Sequence, residues 1–327
     1  MIEKSFRLSN GFWHKFFPNS NKLFSPQNIP LEIWDIGKRE KENKWNPGVL
    51  GIQNITFSNN GEKFVILGGW TTQNPNKSEF KIYDSNTLDC IDEFLLHDEH
   101  CTNPKFTNDD RSLTFGTWSG DVYNYCLDEK SLVKQHSLNG HSFKMIHHGK
   151  HKNKLYMAVT KKAREQNKSV EHFILEYDIL ESKGNKIDFL GEVNPYEING
   201  KMGCNLAGVA LYNDSLAILT TSTSKNADGK LTAKAKSYAF NITTGKMALI
   251  KENFEIRHGP IHYNSCIAWS NDGSKLAFIG LNEVYIIDVV KNNETVIPFE
   301  EATSVEFSNC DTGLAVGGKK AKLFKIE

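Results

Sequence analysis

A block of four short apolar segments recurs along this chain, and this repetition limits the possible folds more than any other feature. In the clearest copy, residues 264–300, the segments read NSCIAWS, LAFIGL, EVYIIDVV and ETVIPFE, separated by Asn, Asp, Gly and Lys. Four strands with tight turns in such a short stretch form one small antiparallel sheet, which cannot bury both of its faces alone. Such a sheet needs neighbours of the same kind.

Six further copies of the block provide these neighbours, so the sequence predicts an all-β protein with seven four-stranded antiparallel blades. The predicted blades, numbered from the N-terminus, cover residues 12–45, 52–98, 103–138, 142–193, 206–253, 264–300 and 303–327 of a single domain, 1–327. The spacing between equivalent residues is irregular, which places the insertions in loops and not in strands.

The seventh block lacks a fourth strand, because it stops after its third strand at Glu327. Residues 2–9 can provide the missing strand, since Ile2, Phe6 and Leu8 alternate there with charged or polar residues. A strand from the opposite terminus also removes an open sheet edge. The sequence therefore predicts a seven-bladed β-propeller in which an N-terminal strand completes the last blade.

Short motifs at the ends of the third strands resemble those of WD40 repeats. These strands end in Trp34-Asp35, Tyr83-Asp84, Tyr125-Cys126, Tyr177-Asp178, Phe240-Asn241, Ile287-Asp288 and Ile326-Glu327. Gly140-His141 resembles the Gly-His that opens such repeats, and the turns NNGEK and NDGSK resemble the turn after their first strand. The resemblance covers nearly the whole chain as a pattern. Only Trp34-Asp35 keeps the full dipeptide and Gly-His occurs once, so a seven-bladed propeller of another family is the alternative.

The composition argues against several classes of partner. Lys plus Arg and Asp plus Glu both number 39, so there is no global basic charge for nucleic acid or an anionic membrane. No apolar run approaches the roughly 20 residues of a membrane span, and the N-terminus lacks the apolar core of a signal peptide. Six cysteines without a CxxC pair are typical of reduced thiols. We therefore expect a cytoplasmic protein that binds neither nucleic acid nor a membrane.

No catalytic or cofactor motif is present in the sequence. It contains no G-x-S-x-G, Walker A, G-x-G-x-x-G or EF-hand pattern. We therefore expect a non-catalytic protein without a cofactor, either a monomer or a subunit of a larger complex. The alternative is a propeller enzyme or ligand-binding protein that uses the mouth of its central channel. Convergent carboxylates or histidines on the innermost strands would distinguish that alternative.

Two groups of histidines suggest metal binding, but neither has a suitable ligand set. His97, His100 and Cys101 lie between blades 2 and 3, and imidazole and thiolate suit zinc. A zinc site needs three or four ligands at a suitable spacing, so we favour His100 as an internal hydrogen-bonding group of the repeat. Three more histidines are expected to face solvent at the first turn of blade 4: His147, His148 and His151. No metal site is predicted.

The loops between second and third strands are the predicted binding site. By resemblance to WD40 proteins, these loops lie on the face where partners usually dock. Trp70 and Trp118 lie there in blades 2 and 3, and tryptophan is enriched among interface hot spots; packing between blades is the alternative. Lys162 and Arg164, in the same loop of blade 4, would steer an acidic partner or form a solvated loop.

Together with His100, these four residues are the predicted partner-binding set of a non-catalytic scaffold for a protein or peptide, which would bind across blades 2 to 4. A second polar insert, residues 223–236 in blade 5, is expected to be a loop as well, with a turn at residues 226–229.

Overall fold

A computed structural model of the chain describes residues 2–8, 13–25, 30–69, 71, 77–149, 154–161, 171–178, 183–187, 204–225, 231–256 and 265–326. These residues form seven four-stranded antiparallel sheets and include no helix. The sheets are the blades of an all-β, seven-bladed β-propeller, which confirms the predicted fold class. The chain divides into two compact units, Met1–Pro47 with Val193–Glu327, and Gly48–Glu192.

The strands follow one another in chain order within each blade. The first strand, β1, is Ile2–Arg7. Blade 1 contains β2 (Lys15–Phe16), β3 (Lys22–Ser25), β4 (Leu31–Asp35) and β5 (Glu40–Trp45). Blade 2 contains β6 (Asn54–Phe57), β7 (Lys63–Gly68), β8 (Lys77–Asp84) and β9 (Cys90–His97). Blade 3 contains β10 (Lys105–Phe106), β11 (Ser112–Gly116), β12 (Asp121–Cys126) and β13 (Ser131–Ser137).

The remaining blades are built in the same way. Blade 4 contains β14 (His141–His148), β15 (Lys154–Lys161), β16 (Glu171–Asp178) and β17 (Lys183–Ile187). Blade 5 contains β18 (Cys204–Tyr212), β19 (Ser215–Lys225), β20 (Leu231–Asn241) and β21 (Lys246–Ile256). Blade 6 contains β22 (Ile267–Trp269), β23 (Lys275–Ile279), β24 (Glu283–Asp288) and β25 (Asn293–Pro298). Blade 7 contains β26 (Ser304–Phe307), β27 (Gly313–Gly317) and β28 (Lys322–Ile326), and β1 pairs with β28 as its fourth strand.

The burial of the strands explains the sequence pattern. Second strands such as β7 read as continuous apolar runs because nearly all of their side chains are buried. Fourth strands such as β5 and β13 are mostly exposed and carry many polar residues. At the end of β11 the next blade packs close by, since a Cβ added at Gly116 would lie 2.6 Å from the Cβ of Phe143.

An aromatic cluster joins blades 2 and 3. The ring centroids of Phe80 and Phe115 are 4.5 Å apart, and both side chains are fully buried. Phe94 stacks on Tyr125 with 4.0 Å between centroids, and the Tyr125 hydroxyl donates to the Asp92 carboxylate at 2.7 Å. Rings from both blades thus form a single apolar core, whose burial stabilises the contact between these sheets.

The turns between first and second strands link neighbouring blades through asparagine. In blades 2, 3, 6 and 7 a Ser-Asn or Thr-Asn pair follows the first strand, and the Asn side-chain amide donates to a backbone carbonyl of the next blade. The four bonds are Asn59 to Thr107 (2.8 Å), Asn108 to Gly149 (3.1 Å), Asn271 to Ser308 (2.8 Å) and Asn309 to Phe17 (2.5 Å). Each of these bonds lies within one of the two units.

An aspartate in the same turn adds a second link in blades 3 and 7. Asp110 and Asp311 have positive φ angles of 57° and 56°, at the position where blades 2 and 6 have Gly61 and Gly273. Aspartate tolerates this left-handed conformation better than most residues. The Asp311 carboxylate accepts hydrogen bonds at 2.8–2.9 Å from two backbone N–H groups and the Asn271 amide of blade 6. Asp110 makes the same three bonds to blade 2.

The acidic residues at the ends of third strands cap the turns that follow. Asp84 accepts hydrogen bonds from the backbone N–H groups of Asn86 and Thr87 at 2.8 and 2.9 Å. Asp288 accepts the equivalent bonds from Lys291 and Val290 at 2.8 and 3.1 Å. These backbone hydrogen bonds lower the pKa of both carboxyl groups from the usual value. The acidic residue therefore stabilises the turn into the fourth strand.

The predicted strand that completes blade 7 is confirmed. In the ladder between β1 and β28, Phe6 lies opposite Leu323 and Arg7 opposite Lys322. The backbone N–H of Leu8 then donates to the carbonyl of Ala321 at 2.9 Å, and the Leu8 side chain is only 1% exposed. Leu8 lies in an apolar cluster with residues of blades 7 and 1.

The structure corrects two of the predicted strand positions. In blade 7, Leu314 pairs with Phe324, as Leu276 pairs with Ile287 in blade 6. Phe324-Lys325 therefore corresponds to the third-strand ends of the other blades, and the assignment of Ile326-Glu327 is wrong by two residues. In blade 4, the sequence predicts the fourth strand over KIDFLGEV, residues 186–193, whereas β17 begins three residues earlier, at Lys183, which pairs with Asp178.

The insert in blade 5 was also predicted wrongly, since most of it is strand. The ladder between β19 and β20 continues as far as Lys225 and Leu231, and residues 226–230 lie outside the described part. Ala233 and Ala235 are buried and alternate with lysines. Side chains of a strand point alternately to its two faces, so this alternation marked a strand and not a loop.

The histidines of blade 4 lie in a strand and not in a turn. His147 and His148 belong to β14, where they face Tyr156 and Leu155 of β15, and His151 lies outside the described residues. Both are half-buried, so the expectation that they face solvent was wrong. Burial, together with the charge of Lys105, lowers the pKa of His148 to about 4.

His14 gives the protein a predictable pH dependence. Its imidazole in blade 1 is 3% exposed, lies 3.3 Å from the Ser25 hydroxyl, and has its pKa lowered by burial to about 3. In the unfolded chain His14 binds a proton below about pH 6.5, whereas in the folded protein it does so only below about pH 3. The free energy of unfolding therefore falls as the pH drops from about 6.5 to about 3. We expect this histidine to reduce the free energy of unfolding by about 2 kcal/mol at pH 5.

Urea unfolding between pH 7 and pH 4.5 checks this expectation. His14→Gln should flatten the decline of stability with falling pH, whereas His97→Gln, which changes an exposed histidine, should leave the slope unchanged. Equal slopes for the wild type and His14→Gln would contradict the assignment.

Candidate partner-binding site

The candidate site is centred on residues 117–120, the turn that joins β11 to β12 in blade 3, which we call the Trp118 turn. The backbone N–H of Thr117 donates to the Asp121 carbonyl at 2.8 Å, and the Asp121 N–H donates to the Thr117 hydroxyl oxygen at 3.0 Å. Gly120 has a φ of 99°, and a Cβ at this position would lie 2.3 Å from the Leu138 carbonyl oxygen. Only glycine satisfies both conditions, so the local sequence determines the shape of this turn.

Chain segments on both sides hold the Trp118 turn. On one side, the Trp118 N–H donates to the His100 carbonyl at 2.9 Å, and Thr117 forms a β-bridge with Cys101. On the other side, the N–H of Phe143 donates to the Thr117 carbonyl at 3.1 Å. Hydrogen bonds to the connection before blade 3 and to β14 of blade 4 therefore hold the backbone of this turn.

The side chain of Trp118 stacks on His100. The ring centroids are 3.8 Å apart with an interplanar angle of 32°, while 43% of Trp118 remains exposed. The structure therefore brings together two of the predicted binding residues. His100 was interpreted as an internal hydrogen-bonding group; its ring is half-buried and supports one face of the indole.

Acidic and basic groups surround the Trp118 turn. The Ser119 hydroxyl lies 2.6 and 2.8 Å from the two carboxylate oxygens of Glu99. Behind the turn, Lys134 donates to the buried Asp121 carboxylate at 2.6 Å. Burial by itself would raise the pKa of Asp121, but the Lys134 bond and charge outweigh it and lower the pKa from its usual value. Asp121 therefore stays ionised at neutral pH, and its bond to Lys134 is maintained.

The other predicted binding residues cannot be placed in the same way. Trp70 lies outside the described residues, as do Lys162 and Arg164. Their strands are described: β7 ends at Gly68 and β15 ends at Lys161. All three residues thus follow a second strand, as the sequence predicted, in the blades on either side of the Trp118 turn.

The side chains of the HDEHC segment occupy different environments. His97 is exposed at the end of β9, His100 packs on Trp118, and Cys101 is 2% exposed in the core between blades 2 and 3. Burial raises the pKa of the Cys101 thiol to about 12, which disfavours the thiolate that binds metals. No group of three or more His, Cys, Asp and Glu side chains suited to a metal ion occurs within the described ranges.

An ion pair that the sequence analysis did not single out joins two of the described first strands. Lys15 of β2 and Glu306 of β26, in blades 1 and 7, have their charged atoms 2.5 Å apart. Both side chains are about one-quarter to one-third exposed. This ion pair links the first strands of blades 7 and 1.

Comparison with known proteins adds no family name. No protein-family model and no curated protein sequence matches this chain. The part of the chain that the structure describes has no helix long and apolar enough to cross a membrane.

Proposed function

We propose that this protein is a non-catalytic interaction scaffold that binds a protein or peptide through the turns between second and third strands of blades 2 to 4. The main support is the combination found at Trp118: an indole with 43% exposure on a backbone fixed by hydrogen bonds. An anchor that is already ordered loses little conformational entropy on binding, so more of its contact energy appears as affinity. Propellers commonly mediate protein interactions.

His100 adds to this arrangement in two ways. Its ring covers one face of the indole and leaves the rest of the side chain available to a partner. Its carbonyl oxygen accepts the Trp118 N–H, so backbone and side chain hold the same residue. Large aromatic anchors with few rotatable bonds are typical of interface hot spots. Trp70, Lys162 and Arg164 complete the proposed surface, with the two cations steering an acidic partner toward it.

We further propose that the propeller is WD40-like and works in the cytoplasm. The acidic residues Asp84 and Asp288 support the first part, because they end third strands and cap the next turn. The second part is supported by five cysteines that are free thiols: Cys90, Cys101, Cys126, Cys266 and Cys310. The equal numbers of basic and acidic residues favour a protein partner over nucleic acid or a membrane surface.

Affinity capture tests the proposed docking surface. The wild type and Trp118→Ala are immobilised, partners from a native lysate are identified by mass spectrometry, and the affinity of the purified partner is then measured. We expect Trp118→Ala to weaken binding about thirtyfold or more, because loss of a desolvated tryptophan anchor costs at least ~2 kcal/mol. The melting temperature should change little, since the ring is largely outside the core.

Val133→Ala is the matched control, because Val133 is an exposed apolar residue of the fourth strand of blade 3, with 51% exposure, and is not part of the proposed surface. This variant should bind like the wild type. If Trp118→Ala binds the partner normally but unfolds early, the indole is a packing residue and the proposed surface is wrong.

A further inference from the structure

A cavity of about 550 Å³ opens where blades 7 and 1 meet, beside the closing strand β1. Its apolar lining comes from β2 of blade 1, from β28 and β1 of blade 7, and from the turn after β4: Phe16, Leu323, Phe324, Phe6 and Ile36. Phe16, Leu323 and Phe324 are buried side chains of the fold. Volume and lining are those of a small-molecule site, and no part of the Trp118 turn contributes to it.

The charged residues that line the cavity are basic. Arg39 and Lys325 lie at its rim, and no acidic side chain is among the described residues that line it. Arg39 is exposed in the turn between β4 and β5, with a φ of 58°. Asn19 and Asn21 add amide groups to the rim. An apolar floor with a cationic rim is complementary to a molecule that has an apolar body and one negative group.

A cysteine replaces an acidic or amide residue at this rim. In the turns of blades 2, 3 and 6 the corresponding residues are Asn60, Asp109 and Asp272, and their side-chain oxygens accept the Ser or Thr hydroxyl two positions earlier at 2.7–2.8 Å. In blade 7 this position is Cys310, whose sulfur lies 3.6 Å from the Ser308 hydroxyl. Compared with blades 3 and 6, the cysteine removes a carboxylate that would repel an anion.

Because of these contacts, the reactivity of Cys310 can report whether a molecule is bound in the cavity. Its sulfur is also 2.9 Å from the Thr312 hydroxyl, and the hydroxyls of Thr312 and Ser308 lower the pKa of the thiol. The thiol is exposed and lines the cavity. A molecule bound in the cavity would therefore shield Cys310 from alkylation, while exposed Cys90 in blade 2 would react as before.

We propose that this cavity is a binding site for a small aromatic or branched apolar anion, with the carboxylate at Arg39 and Lys325 and the apolar body against Phe6, Phe16 and Leu323. The site is separate from the proposed docking surface and does not depend on it. Because β1 contributes Phe6, the site exists only when the last blade is completed.

Protection of Cys310 from iodoacetamide by 2-naphthoate tests the proposal, with mass spectrometry to quantify labelling at Cys310 and Cys90. We expect 2-naphthoate to slow labelling of Cys310 alone, and the neutral isostere 2-naphthamide to be at least about tenfold less effective, since it lacks the charge that pairs with Arg39. Arg39→Gln should raise the half-protecting concentration of 2-naphthoate about tenfold.

Lys38→Gln is the matched control, because Lys38 is the neighbouring exposed cation and does not line the cavity. It should leave the half-protecting concentration unchanged. Equal protection by naphthoate and naphthamide, or no protection of Cys310 up to millimolar naphthoate, would overturn the proposal. Thermal unfolding of each variant shows whether the fold is intact, so that a result from a misfolded protein is not scored.

Discussion

Deleting residues 1–10 should lower the free energy of unfolding by about 5 kcal/mol. Leu8 is 1% exposed, and losing its burial costs about 2–3 kcal/mol. Half-buried Phe6 and the β1–β28 ladder add the rest, at about 1 kcal/mol per contact or hydrogen bond. The deletion also leaves β28 as an open edge, which promotes aggregation. Urea unfolding followed by circular dichroism measures the effect.

Two point variants separate the closing strand from a general effect of shortening the chain. Leu8→Ala should cost about 2–5 kcal/mol, as expected for a buried leucine. Ser5→Ala, which changes an exposed residue of the same strand, should stay within about 0.5 kcal/mol of the wild type. An unchanged stability after deletion of residues 1–10 would mean that blade 7 does not need this strand.

Replacing Phe115 with alanine should be the second most damaging change, at about 3–5 kcal/mol. The ring has no exposed surface and lies 4.5 Å from Phe80, 5.7 Å from Tyr123 and 6.0 Å from Phe94 by ring centroids. Aromatic rings fixed on two different blades cannot close a cavity of this size by small movements. The variant should therefore keep most of the cavity and its full cost.

Leu132→Ala is the control for Phe115→Ala, since Leu132 is an aliphatic residue of blade 3 with 37% exposure. Its effect should remain below about 0.5 kcal/mol. A loss under about 1 kcal/mol for Phe115→Ala would show that blades 2 and 3 do not depend on this aromatic cluster.

The architecture could be predicted because its signals are local and repeated. The blades can be recognised in the sequence by buried apolar second strands such as β7 and by polar fourth strands such as β5. Seven copies compensate for weak individual motifs. The errors arose where the residue pattern of a segment was compatible with two different local structures. In blade 5 the polarity of residues 223–236 suggested a loop, while the alternation at Ala233 and Ala235 marked a strand.

The sites were less predictable because they depend on residues that only the fold brings together. The position of Trp118 after a second strand could be read from the sequence, but its stacking on His100 depends on the path between blades 2 and 3. The cavity is harder still to predict from the sequence, because two of its lining residues, Phe6 and Cys310, are about 300 residues apart in the chain. One usable signal was missed: Cys310 stands in a turn position where blades 2, 3 and 6 have Asn or Asp.

Amide hydrogen exchange of the protein with and without its captured partner tests the proposed docking surface most directly. We predict slower exchange on binding in residues 99–102 and 117–121, because these segments form and support the Trp118 turn. Residues 308–313 of blade 7, which line the separate cavity, should exchange at the same rate in both states. Protection confined to blades 5, 6, 7 or 1, with residues 99–121 unchanged, would contradict the account.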